Sequence, residues 1–381
     1  MAGGEGWYDA NSSAQATLTS LTVDGDPGTR YVFAGWSGDA DGSGSPSNDI
    51  LMDGPKTATA TWATQYQVTF DQSGINDSSE DVIVTVNGVD KTLAELPFTT
   101  DWFDSGSTLT YAYSSPIAVI DNGTQLVDSR QRYVWNSTSG LSQDQQGNTF
   151  SVTAAGTVTA TYNKQYRTDF NVGEKIKTDC TTTILTVNGE EKRGSDLLFS
   201  VWTTAGESLS YEFTEVLYGT SGMKYVWWDT RSAAAMGART ATIAVNKGGR
   251  VDGMYCGTIV TASPATQQYS DQVTFEATTT GYGGPLGNVH FFIGTQDMGE
   301  ANLIEGDDSR SASLTVPLLE TVPGAMAAGN KTVTAGFYGN NVDFDATTSL
   351  TITREDAAMT FGSADSNRNP ASVQVRTPGG N

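Results

Sequence analysis

This 381-residue chain has one histidine, two cysteines and about half as many cationic as acidic side chains, 21 Lys and Arg against 43 Asp and Glu. Each shortage excludes something. A lone histidine, His290, cannot supply a multi-histidine metal site, and any Ser-His-Asp triad would have to be built on it alone. It sits in an apolar run beside Phe291 and Phe292 and reads as a strand-face residue. Nor do two cysteines and this histidine have the spacing of a zinc site. The formal net charge of −22 excludes a nucleic-acid partner held by general electrostatics, because a polyanion is repelled. It also opposes docking on anionic lipid. No run approaches the roughly 18 apolar residues of a membrane span, so none is expected in this segment. No basic stretch followed by an apolar run opens the chain, so no signal peptide is expected within these residues. Secretion would place a signal and any anchor outside them.

What is present is repetition, with a period of about a hundred residues. Tyr31-Val32-Phe33-Ala34-Gly35-Trp36 is echoed by Tyr133-Val134-Trp135-Asn136 and by Tyr225-Val226-Trp227-Trp228, each after a basic residue (Arg30, Arg132, Lys224). Trp7-Tyr8-Asp9 returns as Trp102-Phe103-Asp104 and, more loosely, as Trp202-Thr203-Thr204. Thr57–Trp62 returns as Thr157–Tyr162, and Gln65-Tyr66 as Gln165-Tyr166. Runs with period-two alternation and β-branched or aromatic residues recur throughout, among them Val82–Val86 and Thr108–Tyr113. Asn87-Gly88 and Asn188-Gly189 fall at matching points and predict two-residue hairpins, since a type I′ turn needs positive φ at both central positions. No amphipathic helix of three turns is evident; Ala233–Ala238 is the only short helical candidate.

The expected fold is therefore all-β, with tandem β-sandwich and immunoglobulin-like modules in an elongated array. Residues 1–66 form a partial module that begins at the counterpart of Trp102 and lacks counterparts of Gln67–Phe98. Residues 67–166 and 167–266 form two fuller sandwich repeats. Residues 267–354 space five strands (Val273–Ala277, Val289–Ile293, Ser311–Val316, Lys331–Tyr338, Leu350–Arg354) as an immunoglobulin-like domain does. Residues 355–381 hold Ala358–Ser363 and Ser372–Arg376, read either as the opening strands of a further unit or as a segment donated to another copy.

Gly35–Asp39 (Gly-Trp-Ser-Gly-Asp) followed by Ile50–Ala58 resembles the InlB B-type repeat of large bacterial and archaeal surface proteins. Tyr66–Gly74 with Tyr133-Val134-Trp135 resembles β-modules found beside such repeats, chiefly in archaeal secreted proteins. The segment from Gln268 to Arg354 resembles bacterial Ig-like repeats. The resemblance implies an extracellular, cell-surface, non-catalytic scaffold, as in filaments, surface layers and adhesin stalks. It brings no catalytic residues to carry over and no obligatory cofactor. The partners it suggests are other copies of the same chain and cell-surface glycans.

Two sites remain as expectations. Asp39, Asp41 and Asp49 crowd oxygen ligands into one glycine-containing loop, a pattern suited to calcium, although no glutamate occupies the twelfth position of an EF-hand. Alignment of the repeats on their Asn-Gly turns places Cys180 near the start of the third repeat and Cys256 at its end. A disulfide there would close a long loop, worth up to ~4–5 kcal/mol; the alternative is two buried free thiols. The recurring Trp7, Trp36, Trp102, Trp135, Trp202 and Trp227 read as sandwich-core anchors rather than a sugar platform. Abundant carboxylates fall within glycosidase spacing by chance, so they carry no catalytic reading.

Overall fold

The computed structural model describes residues 2–121, 124–125, 130–232, 236–281, 285–337, 344–355, 358–361 and 373–376. The chain is all-β and sandwich-like, with one α-helix among the described residues, the six-residue Glu174–Asp179. Positions 233–235 of the helical candidate and Tyr338 lie outside the described residues. Its contacts divide into two compact units. One holds Met1–Arg167 with Trp202–Gly206 and Asn246–Gly248; the other holds Thr168–Val201, Glu207–Val245 and Gly249–Asn381.

The three echoes are one strand built three times. Thr29–Gly38, Gln131–Gly140 and Lys224–Arg231 each pair antiparallel with the strand that closes their repeat: Ala58–Tyr66, Gly156–Val172 and Gly249–Ser263. Each ladder slips by one residue at the same place, between Phe33 and Gly35, Trp135 and Ser137, and Trp227 and Asp229. A bulge bends a strand and re-aims its side chains, so a bulge repeated in register belongs to the module's design. Gly38 and Gly140 end the first two bulged strands with φ of 87° and 96°. A Cβ there would lie 2.5 Å from the Thr57 carbonyl oxygen and 1.9 Å from that of Thr157, so only glycine fits.

In the first unit, residues 67–166 form a two-sheet sandwich. One sheet runs Phe98–Thr99, Val68–Ser73, Gly156–Val172, Gln131–Gly140, Ile117–Ala118; the other runs Val89–Thr92, Val82–Val86, Thr108–Tyr113, Gly147–Ser151. The opening strand lies parallel to the closing one, from Val68 opposite Gly156 to Ser73 opposite Thr161. The expected hairpin turn forms, with φ of 47° at Asn87 and 79° at Gly88. Between the sheets are buried Val68, Phe70, Ile83, Leu109, Tyr111 and Val158 among others, each worth roughly 1.5–3 kcal/mol for the largest side chains. The first 66 residues build less: a sheet of Thr22–Asp24, Thr29–Gly38 and Ala58–Tyr66, extended by Phe103–Asp104, over a small core of Phe33, Trp36, Ile50, Ala16 and Ala40.

In the second unit, Thr168–Val172 runs parallel to Gly249–Gly253, the same relation of opening to closing strand. A second sheet of Glu190–Lys192, Leu185–Val187, Ser208–Phe213 and Thr240–Ala244 carries the Asn188-Gly189 turn, φ 49° and 83°. The far half of the closing strand, Gly257–Ser263, pairs with Gln272–Thr280. That strand and Ser309–Pro317 face a sheet of Thr266–Gln268, Ala346–Thr353, Gly329–Phe337, Asn288–Ile293 and Gln296–Asn302. Phe275 stacks on Phe291 at 5.7 Å in the core they share. Ala358–Phe361 and Val373–Arg376 pair with each other, Ala358 opposite Arg376.

The disulfide is a correction: Cys180 and Cys256 are both buried and both free. Adjacent strand residues point to opposite faces, and this alternation separates the thiols. Tyr255 faces the side where Cys180 lies, near enough for the Cys180 thiol to disfavour its ionisation. Cys256 points the other way, into the core that holds Phe275 and Phe291, with Sγ 3.2 Å from Thr279 Oγ1. Burial and then the Asp179 carboxylate push the Cys180 thiol up to about 11, and burial raises Cys256 as well. Both are thus inert as thiolate nucleophiles in the folded chain. Ellman's reagent is expected to find no reactive thiol in the native protein and both after unfolding without reductant; a missing pair in denaturant would restore the disulfide.

Candidate functional site

The sequence echoes converge on a joint that occurs twice in the first unit. Arg30 lies opposite Gln65 across the bulged and closing strands, and its Nε donates to Gln65 Oε1 at 2.7 Å. The guanidinium sits 4.4 Å above the ring of Trp102. Gln65 Nε2 donates onward to Asp104 Oδ1 at 2.8 Å, Phe103 pairs with Tyr66, and the Ser105 N–H donates to the Thr64 carbonyl at 2.9 Å. Arg132, Gln165 and Trp202 repeat this arrangement: Nε to Oε1 at 2.9 Å, guanidinium to ring at 4.2 Å, and the Ala205 N–H on the Lys164 carbonyl at 2.9 Å. A planar guanidinium stacks on indole while its edge bonds the amide, a combination a point-like ammonium cannot reproduce. Each stack therefore fastens a short strand of the following repeat to the closing strand before it. In the second unit Lys224, just before the third echo, donates Nζ to the Asp345 carbonyl at 3.1 Å.

The echo tyrosines form a second recurrent group. Tyr133, 1% exposed, donates to Asp77 Oδ2 at 2.7 Å, and Lys164 Nζ reaches the same oxygen at 2.6 Å. The Lys164 hydrogen bond holds the Asp77 carboxyl below its usual range, against the opposing effect of burial and with help from Tyr133. Tyr225, 2% exposed, donates to Asp179 Oδ2 at 2.9 Å; Thr220 Oγ1 and the Ser221 N–H reach Oδ1 at 2.9 and 2.8 Å. Burial raises the Asp179 pKa, yet the donors from Ser221, Tyr225 and Thr220 outweigh it and bring the group to about 2. Tyr31, at the matching point of residues 1–66, is 41% exposed.

That difference belongs to a larger one. In the two fuller repeats the closing strand is paired on both edges, by the bulged strand and by the parallel opening strand. In residues 1–66 the corresponding edge, Lys56–Thr61, has no strand partner among the described residues. Val158 and Val251 are buried at 0% and 1%, whereas their counterpart Ala58 is exposed. A cavity of about 430 Å³ borders this edge, lined by Tyr8, Trp36, Ile50, Met52, Lys56 and Ala58 among others. Leu21, Val23 and Leu51 are exposed in the same repeat.

The other expected site residues are scattered. Asp39 Oδ2 accepts the Thr57 N–H at 2.7 Å and Oδ1 lies 3.9 Å from Lys56; Asp49 Oδ1 accepts from Gln15 at 2.8 Å; the Asp41 carbonyl accepts the Asn48 N–H at 3.0 Å. No group of three potential metal-ligating side chains occurs among the described residues, so the loop does not gather Asp39, Asp41 and Asp49 as calcium would require. His290 is a cross-strand partner of Glu300, Nε2 to Oε2 2.7 Å, stacked on Phe292. The tryptophans divide. Trp36 is core and Trp135 packs against the core of residues 67–166, but Trp102 and Trp202 lie under guanidinium groups and Trp7 is fully exposed at 103%. The largest fully buried side chains are tyrosines and phenylalanines.

No protein-family model matches the chain and no curated protein matches it, so the likeness to B-type and bacterial Ig-like repeats rests on the motifs alone. Among solved structures, the crystal structure of an ICAM-5 D1–D4 ectodomain fragment is similar at 10% identity, over 68% of this chain and 75% of that one, with a TM-score of 0.22. A likeness at that score carries no argument about this chain.

The Asp179 network makes stability pH-dependent with a definite sign. A carboxyl whose pKa is depressed on folding contributes stability above its unfolded value near 4 and loses it as pH falls through its folded value of about 2. The contribution is on the order of 2 kcal/mol. Denaturation of the second unit followed from pH 5 to pH 2 is expected to show this loss in the wild type, and Asp179→Asn is expected to start less stable and lose less. Parallel curves would contradict the assignment.

Proposed function

We propose that the chain is a non-enzymatic structural subunit of an extracellular surface filament or surface layer, in which copies assemble head-to-tail by β-strand complementation. One observation carries this reading: an edge filled by the chain's own opening strand in two repeats has no strand partner among the described residues in residues 1–66. An open edge is a template for another strand, and a head-to-tail contact that does not close on itself propagates. The paired Arg-Gln-Trp joints support a scaffold role, since they brace backbone rather than line a reaction site. The net charge of −22 suits a saline or cation-rich exterior that screens self-repulsion.

A second reading, the stalk of a cell-surface adhesin that binds glycan or protein ligands, draws on the fully exposed Trp7 and on the nearby cavity bordered by Tyr8. Negative-stain electron microscopy of the purified full chain, with and without calcium, separates the two. Filaments or sheets are expected. A monodisperse monomer at high concentration, retained on a glycan array, would favour the stalk and remove the polymer.

A further inference from the structure

We propose that the chain transmits tension, through a clamp of parallel opening and closing strands built three times into the fold. The inference goes beyond the assembly reading and stands for a filament subunit and a stalk alike. Val68–Ser73 lies parallel to Gly156–Thr161, Thr168–Val172 to Gly249–Gly253, and Thr266–Gln268 to Thr351–Thr353. In each pair the chain enters along one strand and leaves along the other. Because the strands are parallel, entry and exit lie at opposite ends of the ladder. Tension on the chain therefore drives the two strands past each other, and the hydrogen bonds between them must yield together. An antiparallel hairpin has both chain ends at one end of its ladder, so tension opens it a pair at a time.

The connections that lead into the clamps leave little slack. Ala58–Tyr66 passes to Val68–Ser73 through Gln67 alone, and Gly156–Val172 is one unbroken strand that closes one repeat and opens the next. The Gln67 N–H donates to the Gly28 carbonyl and the Arg167 N–H to the Arg130 carbonyl, each at 2.9 Å, so both crossover residues are held to the repeat before them. The Arg-Gln-Trp stacks stand at the same two places. Just before Thr266–Gln268, the Ala265 carbonyl accepts the Thr351 N–H at 2.9 Å. A flexible linker would absorb extension before any clamp was strained. Here the first strain falls on a ladder.

The three clamps are graded. The ladder runs from Val68 to Ser73 in residues 67–166, from Thr168 to Val172 in residues 167–266, and only from Thr266 to Gln268 in the last. The first also has a staple. Tyr113 Oη, reaching over from the opposite sheet, lies 2.9 Å from the Asp71 carbonyl oxygen and 2.7 Å from that of Val158, so its proton bonds one strand of the clamp or the other. Phe213 holds the matching position in residues 167–266 and has no hydroxyl. Resistance to tension therefore falls from the first clamp to the third.

The test stretches single full-length chains by optical tweezers from handles at their two ends. The comparison is the same chain held through Glu80→Cys and Ala94→Cys, which flank the open end of the antiparallel hairpin of Val82–Val86 and Val89–Thr92. The native thiols are buried, so the introduced cysteines take the handles. End-to-end pulling is expected to give ruptures at several times the hairpin's force, the strongest from residues 67–166 and the weakest from residues 267–354. Disulfides across the ladders assign them. Thr69→Cys with Thr157→Cys, once oxidised, is expected to abolish the strongest rupture, and Thr266→Cys with Thr351→Cys the weakest, each returning on reduction. Tyr113→Phe is expected to lower the strongest rupture alone. Ruptures no stronger than the hairpin's overturn the clamp. Assignments in the reverse order, or a strongest rupture indifferent to Tyr113→Phe, overturn the grading and leave the clamp in place. Because single chains are pulled, a failure to polymerise has no bearing on the result.

Discussion

The antiparallel ladder between each bulged strand and its closing strand is the constraint on which the other features depend. It fixes register through a bulge at the same position three times, and so decides which side chains face which sheet. It also leaves the closing strand with a second edge, whose backbone donors and acceptors need partners. In the two fuller repeats the chain supplies them locally by running an opening strand parallel to the closing one. Because Gly156–Val172 serves as closing strand at one end and opening strand at the other, one continuous backbone carries the pattern from repeat to repeat.

The scarcity of cations gives their placement meaning. Arg30 and Arg132 sit on tryptophan rings, Lys164 beside Tyr133 and Tyr166, and Lys224 on a backbone carbonyl. In a chain with 43 acidic residues, most carboxylates are exposed and mutually repelling, so the few that are enclosed are the informative ones. Asp77 and Asp179 are both anchored by an echo tyrosine, one assisted by a lysine and the other by hydroxyl and backbone donors. The two solutions differ because the third repeat reaches its aspartate from the end of a short helix.

Much of the fold was legible because its signals are local. Alternation marks Val82–Val86 and Thr108–Tyr113, and the Asn-Gly pairs adopt the positive φ that a two-residue hairpin demands. What escaped the sequence depends on non-local pairing. No residue pattern announces that Val68–Ser73 will lie parallel to Gly156–Thr161, since the two are separated by most of a repeat. The joint left only a trace, a basic residue before each echo; that Trp102 and Trp202 would meet those cations rather than enter a core needed the sheet register. The cysteine pairing failed for the same reason. Alignment placed the two thiols at opposite ends of one repeat, but strand alternation at Tyr255 and Cys256 turned them to different faces.

Native-state hydrogen exchange on the dilute, unassembled chain addresses the central claim most directly. In Gly156–Thr161 every backbone amide has a strand on one side or the other, whereas in Lys56–Thr61 those directed away from Thr29–Gly38 have no strand partner among the described residues. The predicted result is alternating fast and slow amides in Lys56–Thr61 and uniform protection in Gly156–Thr161, with the open-edge amides exchanging roughly a hundredfold faster than their counterparts. Equal and uniform protection of Lys56–Thr61 would mean that its second edge is already filled within one chain, contradicting the account.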